Sequence, residues 1–345
     1  VSREACLASF GLPSAAERSN CRPGALPVEL LRSEEPVVLR GFCRDFPAVQ
    51  ACASSPRDAA AYLNEFYNGL PVNAAYGDPA IDGRVFYNES LDGFNFRNGR
   101  VDLRRLLQEI LDSTGAENPP TLYMASTDVS RWFPGFAEQN SAGLENLSPI
   151  GFLWLGNRTR IAAHYDYPHN LACNIAGRRR FTLFPPEQVA NLYPGPLGFA
   201  PGGQEISLVD FRDPDFDRFP KFREALVHAQ VAELNPGDAL FIPGMWWHHV
   251  EGLDPLNVLY SHWWSESPDY TGAPSSALLH AMLSLRGLSP ALREAWKALF
   301  DHYVFEAGDG RPDHIPASAR GLCQEPPDAE AAKRLRADLL ERLKN

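Results

Sequence analysis

The sequence is poor in paired cysteines. Cys6, Cys21, Cys43, Cys52, Cys173 and Cys323 are scattered, with no C-x-x-C spacing among them. That excludes a dense disulfide framework and a cysteine-built zinc site, and it predicts reduced thiols in a cytoplasmic protein. Long apolar runs are missing as well. None approaches the roughly 18–20 residues that a bilayer-spanning helix needs, so no membrane span is expected. The opening stretch, "VSREACLASFGLPSAAERSN", has no basic region followed by an apolar core, and no secretory signal is expected from it. Positive charge is in deficit: 32 Lys and Arg stand against 43 Asp and Glu, a formal net charge of -11. A broadly electrostatic nucleic-acid binder needs the opposite balance. The one local basic triplet, Arg178 to Arg180, reads as a solvated turn between strands. Internal repeats and low-complexity tracts are also absent.

What is present divides into three textures. Within residues 26–42, "PVVLRGF" reads as a strand entering a turn. "SPRDAAAYLNEFYNG" follows, with Ser55 placed to cap it and Ala59, Tyr62, Leu63 and Phe66 at helical spacing. "VDLRRLLQEILDS" repeats that pattern, and both stripes are expected to pack on a core. From about residue 121 to 266, short apolar runs alternate with Pro, Gly, Asn and Asp: "TLYMAS", "GFLWLG", "LACNIAG", "RRFTLFPP", "NPGDALFIP", "WWHHVEGL", "NVLYSHWW". Many short strands with frequent turn signals predict a β-sandwich or barrel. A long polar excursion rich in Pro, Gly, Phe and Asp, residues 191–224, interrupts this run. A loop of that length inside a compact domain is commonly functional. After residue 270 helical periodicity returns in three segments, of which the last is strongly charged and expected to be solvated. The predicted organisation is an N-terminal extension (1–27), a catalytic-type domain (28–268) and a C-terminal helical segment (269–345) suited to homodimerisation.

The chemistry concentrates in "HYDYPHN". On a strand, positions i and i+2 share a face, so His164 and Asp166 project together and Tyr165 points away. A lone His-x-Asp is commonly just a polar turn. A second histidine on another strand would make it a facial triad, whose open opposite positions suit non-haem Fe(II). "MWWHHVEG" offers His248 and His249, and alternation allows only one of them to join. His169 lies at an odd spacing from His164 beyond Pro168 and is expected to contact the site indirectly at most. His262 is near in strand order, and a packed or hydrogen-bonded role is expected for it.

These motifs, in this order over roughly residues 28 to 266, resemble JmjC-type, cupin-like Fe(II)- and 2-oxoglutarate-dependent oxygenases, in particular their asparaginyl hydroxylase branch. "EEPVVLRGF" resembles the family's N-terminal strand and "TLYMAS" a cofactor-lining strand. "AAHYDYPHNLACNIAGRRRFTLFPPEQVANLYP" resembles the first ligand segment, "VDFRDPDFDRFPKF" the insertion, and "LNPGDALFIPGMWWHHVEG" the distal histidine strand. The resemblance implies a mainly β fold with added helices: a double-stranded β-helix (jelly-roll, cupin) core, a helical N-terminal surround and a C-terminal helical extension. It implies that His164, Asp166 and His248 hold Fe(II), and that 2-oxoglutarate and dioxygen take the open positions. Tyr123 and Arg179 would receive the far carboxylate of 2-oxoglutarate, with Asn170, Ser261 and Trp263 beside it. Arg179 stands where the family has lysine, Ile161 where it has threonine, and Ser261 where it has asparagine.

The activity so implied is hydroxylation of a protein or peptide side chain, with the 191–224 excursion and the tryptophans Trp246, Trp247, Trp263 and Trp264 as candidates to wall a groove. Alternation predicts that half of these tryptophans are core. Lysine demethylation and RNA hydroxylation fit the acidic chain less well. The alternative class is a cupin-type metal-binding protein or Zn/Mn enzyme without 2-oxoglutarate turnover.

Overall fold

A computed structural model describes residues 10–306, 311–320 and 328–344. Cys6 and Cys323 lie outside them; Cys21, Cys43, Cys52 and Cys173 are free thiols. The chain divides into two compact units, 1–265 and 266–345.

Among its described residues the first unit has fourteen strands in chain order: β1 (Ala16–Arg18), β2 (Val37–Leu39), β3 (Val72–Gly77), β4 (Arg84–Val85), β5 (Phe96–Val101), β6 (Thr121–Asp128), β7 (Ile150–Gly156), β8 (Arg160–Tyr165), β9 (His169–Ala176), β10 (Arg179–Phe184), β11 (Gln230–Leu234), β12 (Ala239–Ile242), β13 (Trp247–Gly252) and β14 (Asn257–Trp264). They form a nine-stranded sheet, β1-β2-β12-β9-β14-β7-β6-β3-β5, and a five-stranded sheet, β11-β10-β13-β8-β4. From β7 onward the chain repeatedly crosses between the two sheets. β7, β9, β12 and β14 are neighbours in the large sheet, and β8, β10, β11 and β13 in the small one. This is the double-stranded β-helix.

Three apolar layers follow from strand alternation. Between the sheets lie Ala172, Phe181, Leu183, Leu240, Ile242 and Leu259, with Val38 from β2. The outer face of the large sheet packs on the N-terminal helices, including Pro56–Phe66 and Leu103–Asp112, through Leu63, Leu106, Ile110, Leu155 and Phe241. Ser55 does cap the first of these, accepting from the Asp58 N–H, and Asp102 caps the second. The outer face of the small sheet is covered by the 191–224 excursion, whose Val209, Phe211, Phe219 and Phe222 pack on Phe184 and Trp247.

The "NPGD" turn joins β11 to β12 with Gly237 at φ +94, a conformation that favours glycine. Its Asp238 accepts from Arg40 Nη1 and from the Gly41 N–H, both at 2.8 Å, fastening β2 to the barrel edge.

Two features differ from the expectation. The N-terminal surround is not only helical: β1, β3, β4 and β5 extend the sheets. β3 and β5, "VNAAYG" and "FRNGRV", are poor in β-branched residues, and they are strands because they pair with each other and β3 pairs with β6. Of the four tryptophans, Trp246, Trp247 and Trp264 are buried, and only Trp263 reaches the cavity described below. The strand ends and the flanking layers, besides alternation, bury the third.

The second unit holds helices Pro274–Leu285, Pro290–Phe300 and Ala329–Arg342, the second capped by Ser289. The last is exposed along nearly its whole length, with Ala332 its only buried residue, as its charge predicts. No helix among the described residues is long and apolar enough to cross a membrane.

Phe181, 2% exposed between the two sheets, reports on the barrel core. Phe181→Ala is expected to cost about 3–5 kcal/mol. The check is a lower denaturation midpoint at unchanged m-value in urea.

Candidate metal centre

β8 and β13 pair antiparallel, and their register sets His164 directly opposite His248. One step further, Val250 lies opposite Ile161, so Ala162 and Ala163 together face His249 alone. This bulge adds a residue to β8 and lets both Ile161 and His164 turn to the interior, where both line one cavity. At the end of β8, Tyr165 points outward to Trp247, and just beyond it Asp166 returns to the inside, as the i, i+2 spacing predicts.

His164, Asp166 and His248 therefore converge, with one ligand atom from each lying within 4.8 Å of the others. Among the described residues no other such group forms. His248 Nε2 is 3.4 Å from Asp166 Oδ2, and the two imidazole rings are 4.4 Å apart. Each ring is oriented from behind. His164 Nδ1 is 2.9 Å from the Ala162 carbonyl, and His248 Nδ1 is 2.9 Å from the Trp246 carbonyl. A carbonyl only accepts, so each Nδ1 carries the proton and each Nε2 keeps its lone pair toward the centre. Burial, helped by the neighbouring His248 and opposed by Asp166, pushes His164 down to about 4, so it is neutral at pH 7, the form a metal requires. For Asp166 burial pulls upward. The neighbouring His248 and His164 outweigh it and hold the carboxyl below its usual value. Two imidazoles, each with its Nε2 free of a carbonyl partner, and one carboxylate within ligating range fit a divalent ion of the borderline type.

The companion residues fall into two groups. Tyr123 and Trp263 join His164 and Asp166 in lining a cavity of about 220 Å³, together with Trp154, Asn73, Asn98, Gln204 and Ile206. Asn170, Arg179 and Ser261 are buried and do not form its wall. Burial raises the Tyr123 phenol, against the opposing pull of Arg179, so Tyr123 stays a protonated donor. Arg179 is lowered to about 10 by burial and remains charged at neutral pH. It makes no ion pair among the described residues, and its Nε has no hydrogen-bond partner. Arg178 is instead exposed and bound to Asp254 at 3.1 Å. The Asn170 Oδ1 and Trp263 Nε1 are likewise buried without partners. Ser261 Oγ accepts from Trp154 Nε1 at 2.6 Å.

His249 faces outward against Phe211, ring to ring 4.7 Å, and lies outside the cluster. His169 opens β9 between Phe241 and Trp264, and its Nδ1 accepts the Gly244 N–H. Trp154 and Gln204 were not legible as site residues. Alternation along "GFLWLG" could have found Trp154, whereas Gln204 sits in irregular chain with no periodic signal.

Residues 23–270 match the family described as a cupin-like domain. Among curated proteins, the chain is 33% identical over 172 residues to HSPB1-associated protein 1 of Rattus norvegicus, covering 47% of this chain and 33% of that protein. It is 36% identical over 124 residues to Lysine-specific demethylase JMJ31 of Arabidopsis thaliana, covering 36% and 22%. It is 34% identical over 113 residues to Lysine-specific demethylase 8 of Xenopus tropicalis, covering 32% and 24%. The matched stretch is thus a third or less of each relative's length.

Burial also pushes His262 to about 4 from 6.5, with its Nδ1 3.3 Å from the Leu171 carbonyl. Its folded pKa lies below the unfolded one, so the unfolded chain binds the extra proton and stability falls as pH falls between those values. His262→Phe is expected to reduce that slope by about 1.4 kcal/mol per pH unit between pH 6 and 4.5, read from urea midpoints across the range.

Proposed function

The chain belongs to the cupin-like family, in its JmjC-type branch, and from that premise we propose that it is an Fe(II)- and 2-oxoglutarate-dependent dioxygenase that hydroxylates a side chain of a protein or peptide. The observation that carries the reading is a combination in one barrel. A His-Asp-His set converges on one point, and the same barrel holds a buried guanidinium, Arg179, with no acid among the described residues to neutralise it. A buried charge is tolerated only when paired. Arg160, equally buried, has Asp210 at 2.9 Å and Asp82 at 3.4 Å. Arg179 lacks such a partner among the described residues, and a dicarboxylate cosubstrate would supply one.

When bound, ferrous iron with 2-oxoglutarate and dioxygen supplies the oxidising chemistry that no side chain can provide. The protein's part is placement. His164, Asp166 and His248 would hold the metal on one face and leave the opposite positions open. Arg179 offers a fork of donors to the far carboxylate of 2-oxoglutarate, and the Tyr123 hydroxyl donates beside it. Asn170 and Trp263 bring a further unpaired acceptor and donor to the same region. Trp154, Val85, Ile161 and Ile206 give the cavity apolar walls that limit water.

The substrate reading rests on the mouth. Pro201, Gly202, Gln204 and Ile206 of the long excursion line the cavity together with Asn73, Asn98 and Ser126. Apart from Asp166, none of the lining residues carries a carboxylate. Neutral amides and hydroxyls suit a neutral side chain better than a lysine cation. That favours hydroxylation, with lysine demethylation, the activity in two relatives' names, as the second outcome to test. In the second unit, Leu278, Leu283, Trp296 and Phe305 are exposed. They support pairing with a second copy.

Four outcomes are expected. Anaerobic Fe(II) plus 2-oxoglutarate gives a weak visible charge-transfer band, and a Zn/Mn enzyme or plain binding module would give none. Asp166→Ala loses iron binding and succinate formation together; full succinate production by this variant would refute the triad. Arg179→Gln raises the KM for 2-oxoglutarate by about 10–100-fold while metal binding stays intact, the loss expected for a charge-assisted contact. A peptide-library succinate assay identifies the substrate. In light scattering the full chain is expected as a dimer and a chain ending near residue 270 as a monomer; a full-length monomer excludes the pairing.

A further inference from the structure

The segment that crosses the cavity mouth is tied to β8 residue by residue. Ser207 N–H donates to the Ala163 carbonyl at 2.7 Å, and the Ser207 hydroxyl donates to the Leu192 carbonyl at 2.6 Å. Glu205 Oε2 accepts from the Tyr165 hydroxyl at 2.6 Å, on the outward side of β8. One residue earlier the side chain turns inward, and Gln204 Nε2 donates to Asp166 Oδ1 at 3.1 Å. Gly203, at φ +102, makes the reversal that delivers Gln204 to this position. The segment thus places a neutral carboxamide against a metal-ligand carboxylate, pinned by contacts on the following residues.

The two oxygens of Asp166 are consequently not equivalent. Oδ1 is occupied by Gln204, and Oδ2 faces His248 Nε2. We propose that Gln204 is a positioning residue that holds Asp166 to one-oxygen ligation and makes the mouth segment 199–207 part of the metal centre. This rests on the reading of His164, Asp166 and His248 as metal ligands. A carboxylate with one oxygen held by a fixed donor keeps its rotamer and offers a single lone-pair direction, which preserves the open positions opposite the triad. Linkage makes the effect reciprocal: if the ordered segment strengthens metal binding, the metal must strengthen the order of the segment. The donor comes from the excursion and not from the barrel, so occupancy of the metal site and closure of the mouth are one equilibrium.

The test uses the full chain with Mn(II) as a redox-inert probe. Wild type is expected to bind Mn(II), and Q204L to bind it about 10–100-fold more weakly, the usual loss when a ligand's supporting hydrogen bond is removed. The metal-free melting temperatures should agree. Hydrogen exchange supplies a readout that simple packing would not move. Mn(II) should slow exchange of amides 199–207 in wild type and leave it unchanged in Q204L. Y165F, which frees Glu205 but leaves Gln204 in place, should show a smaller loss of the same sign; it keeps the test informative should Q204L fail to fold. Mn(II) affinity in Q204L within twofold of wild type, or in Y165F with the protection of 199–207 intact, overturns the role of Gln204. No binding by wild type overturns the metal-centre reading itself.

Discussion

The pairing of His164 with His248 across β8 and β13 is the contact on which the interior of this barrel depends. Two imidazoles 4.4 Å apart in a buried setting cannot comfortably both be charged. A pair of like charges at that range repels by about 4 kcal/mol at an effective dielectric of 20. The protein resolves this by tying each Nδ1–H to the carbonyl two residues back in the chain, which leaves two lone pairs and one carboxylate facing a common point. Cross-strand register does what no local sequence feature could, because the two histidines are far apart in the chain and adjacent only once the small sheet has formed.

The bulge beside that pair has a second effect. By putting Ala162 and Ala163 opposite His249 alone, it changes the phase of β8 relative to β13, so that Ile161, Ala162 and His164 all contribute to one cavity. Strict alternation would have given that wall fewer residues. His249 is left on the outer face, packed on Phe211, with burial the main cause of its depressed pKa of about 4. Adjacent histidines in one motif therefore meet opposite environments, one facing the interior and one covered by the excursion.

Much of this was legible from the sequence, for reasons that can be named. His164 and Asp166 declare themselves through the period-two spacing, and the helices at 56–66 and 103–112 through apolar stripes, the first also through its Ser55 cap. The "NPGD" turn reads from residue chemistry alone. The choice between His248 and His249 required the register of β13, which alternation within "WWHHVEG" leaves open. β3 and β5 were invisible because their residues have little intrinsic preference for extended chain and owe it to their neighbours. Gln204 lies in an irregular segment whose course is set by long-range contacts, and no pattern in "APGGQEIS" marks it. Arg179 could be named only through resemblance; its physical peculiarity, a buried charge with no acid beside it among the described residues, is a property of the folded barrel.

The excursion at 191–224 links these levels, because it acts on both faces of the small sheet. Its later part is clamped to the outside by paired charges: Asp210 to Arg160 at 2.9 Å and to Arg84 at 3.4 Å, Arg212 to Asp82 at 2.8 Å and to Glu251 at 3.4 Å. Such pairs add little net stability once desolvation is counted, but their directionality penalises any shifted placement. Phe211, between the two charged residues, adds an apolar pin against Phe184 and Phe222. Fixed there, the chain has only Ile206 to Val209 in which to reach the cavity mouth, and Ser207 holds that short stretch to β8 through its N–H and to Leu192 through its hydroxyl. Gln204 is thus set from behind by an ionic clamp and from the side by the Tyr165–Glu205 bond. Both faces of the small sheet contribute to where one carboxamide meets Asp166, and the outer surface of the barrel thereby takes part in shaping its centre.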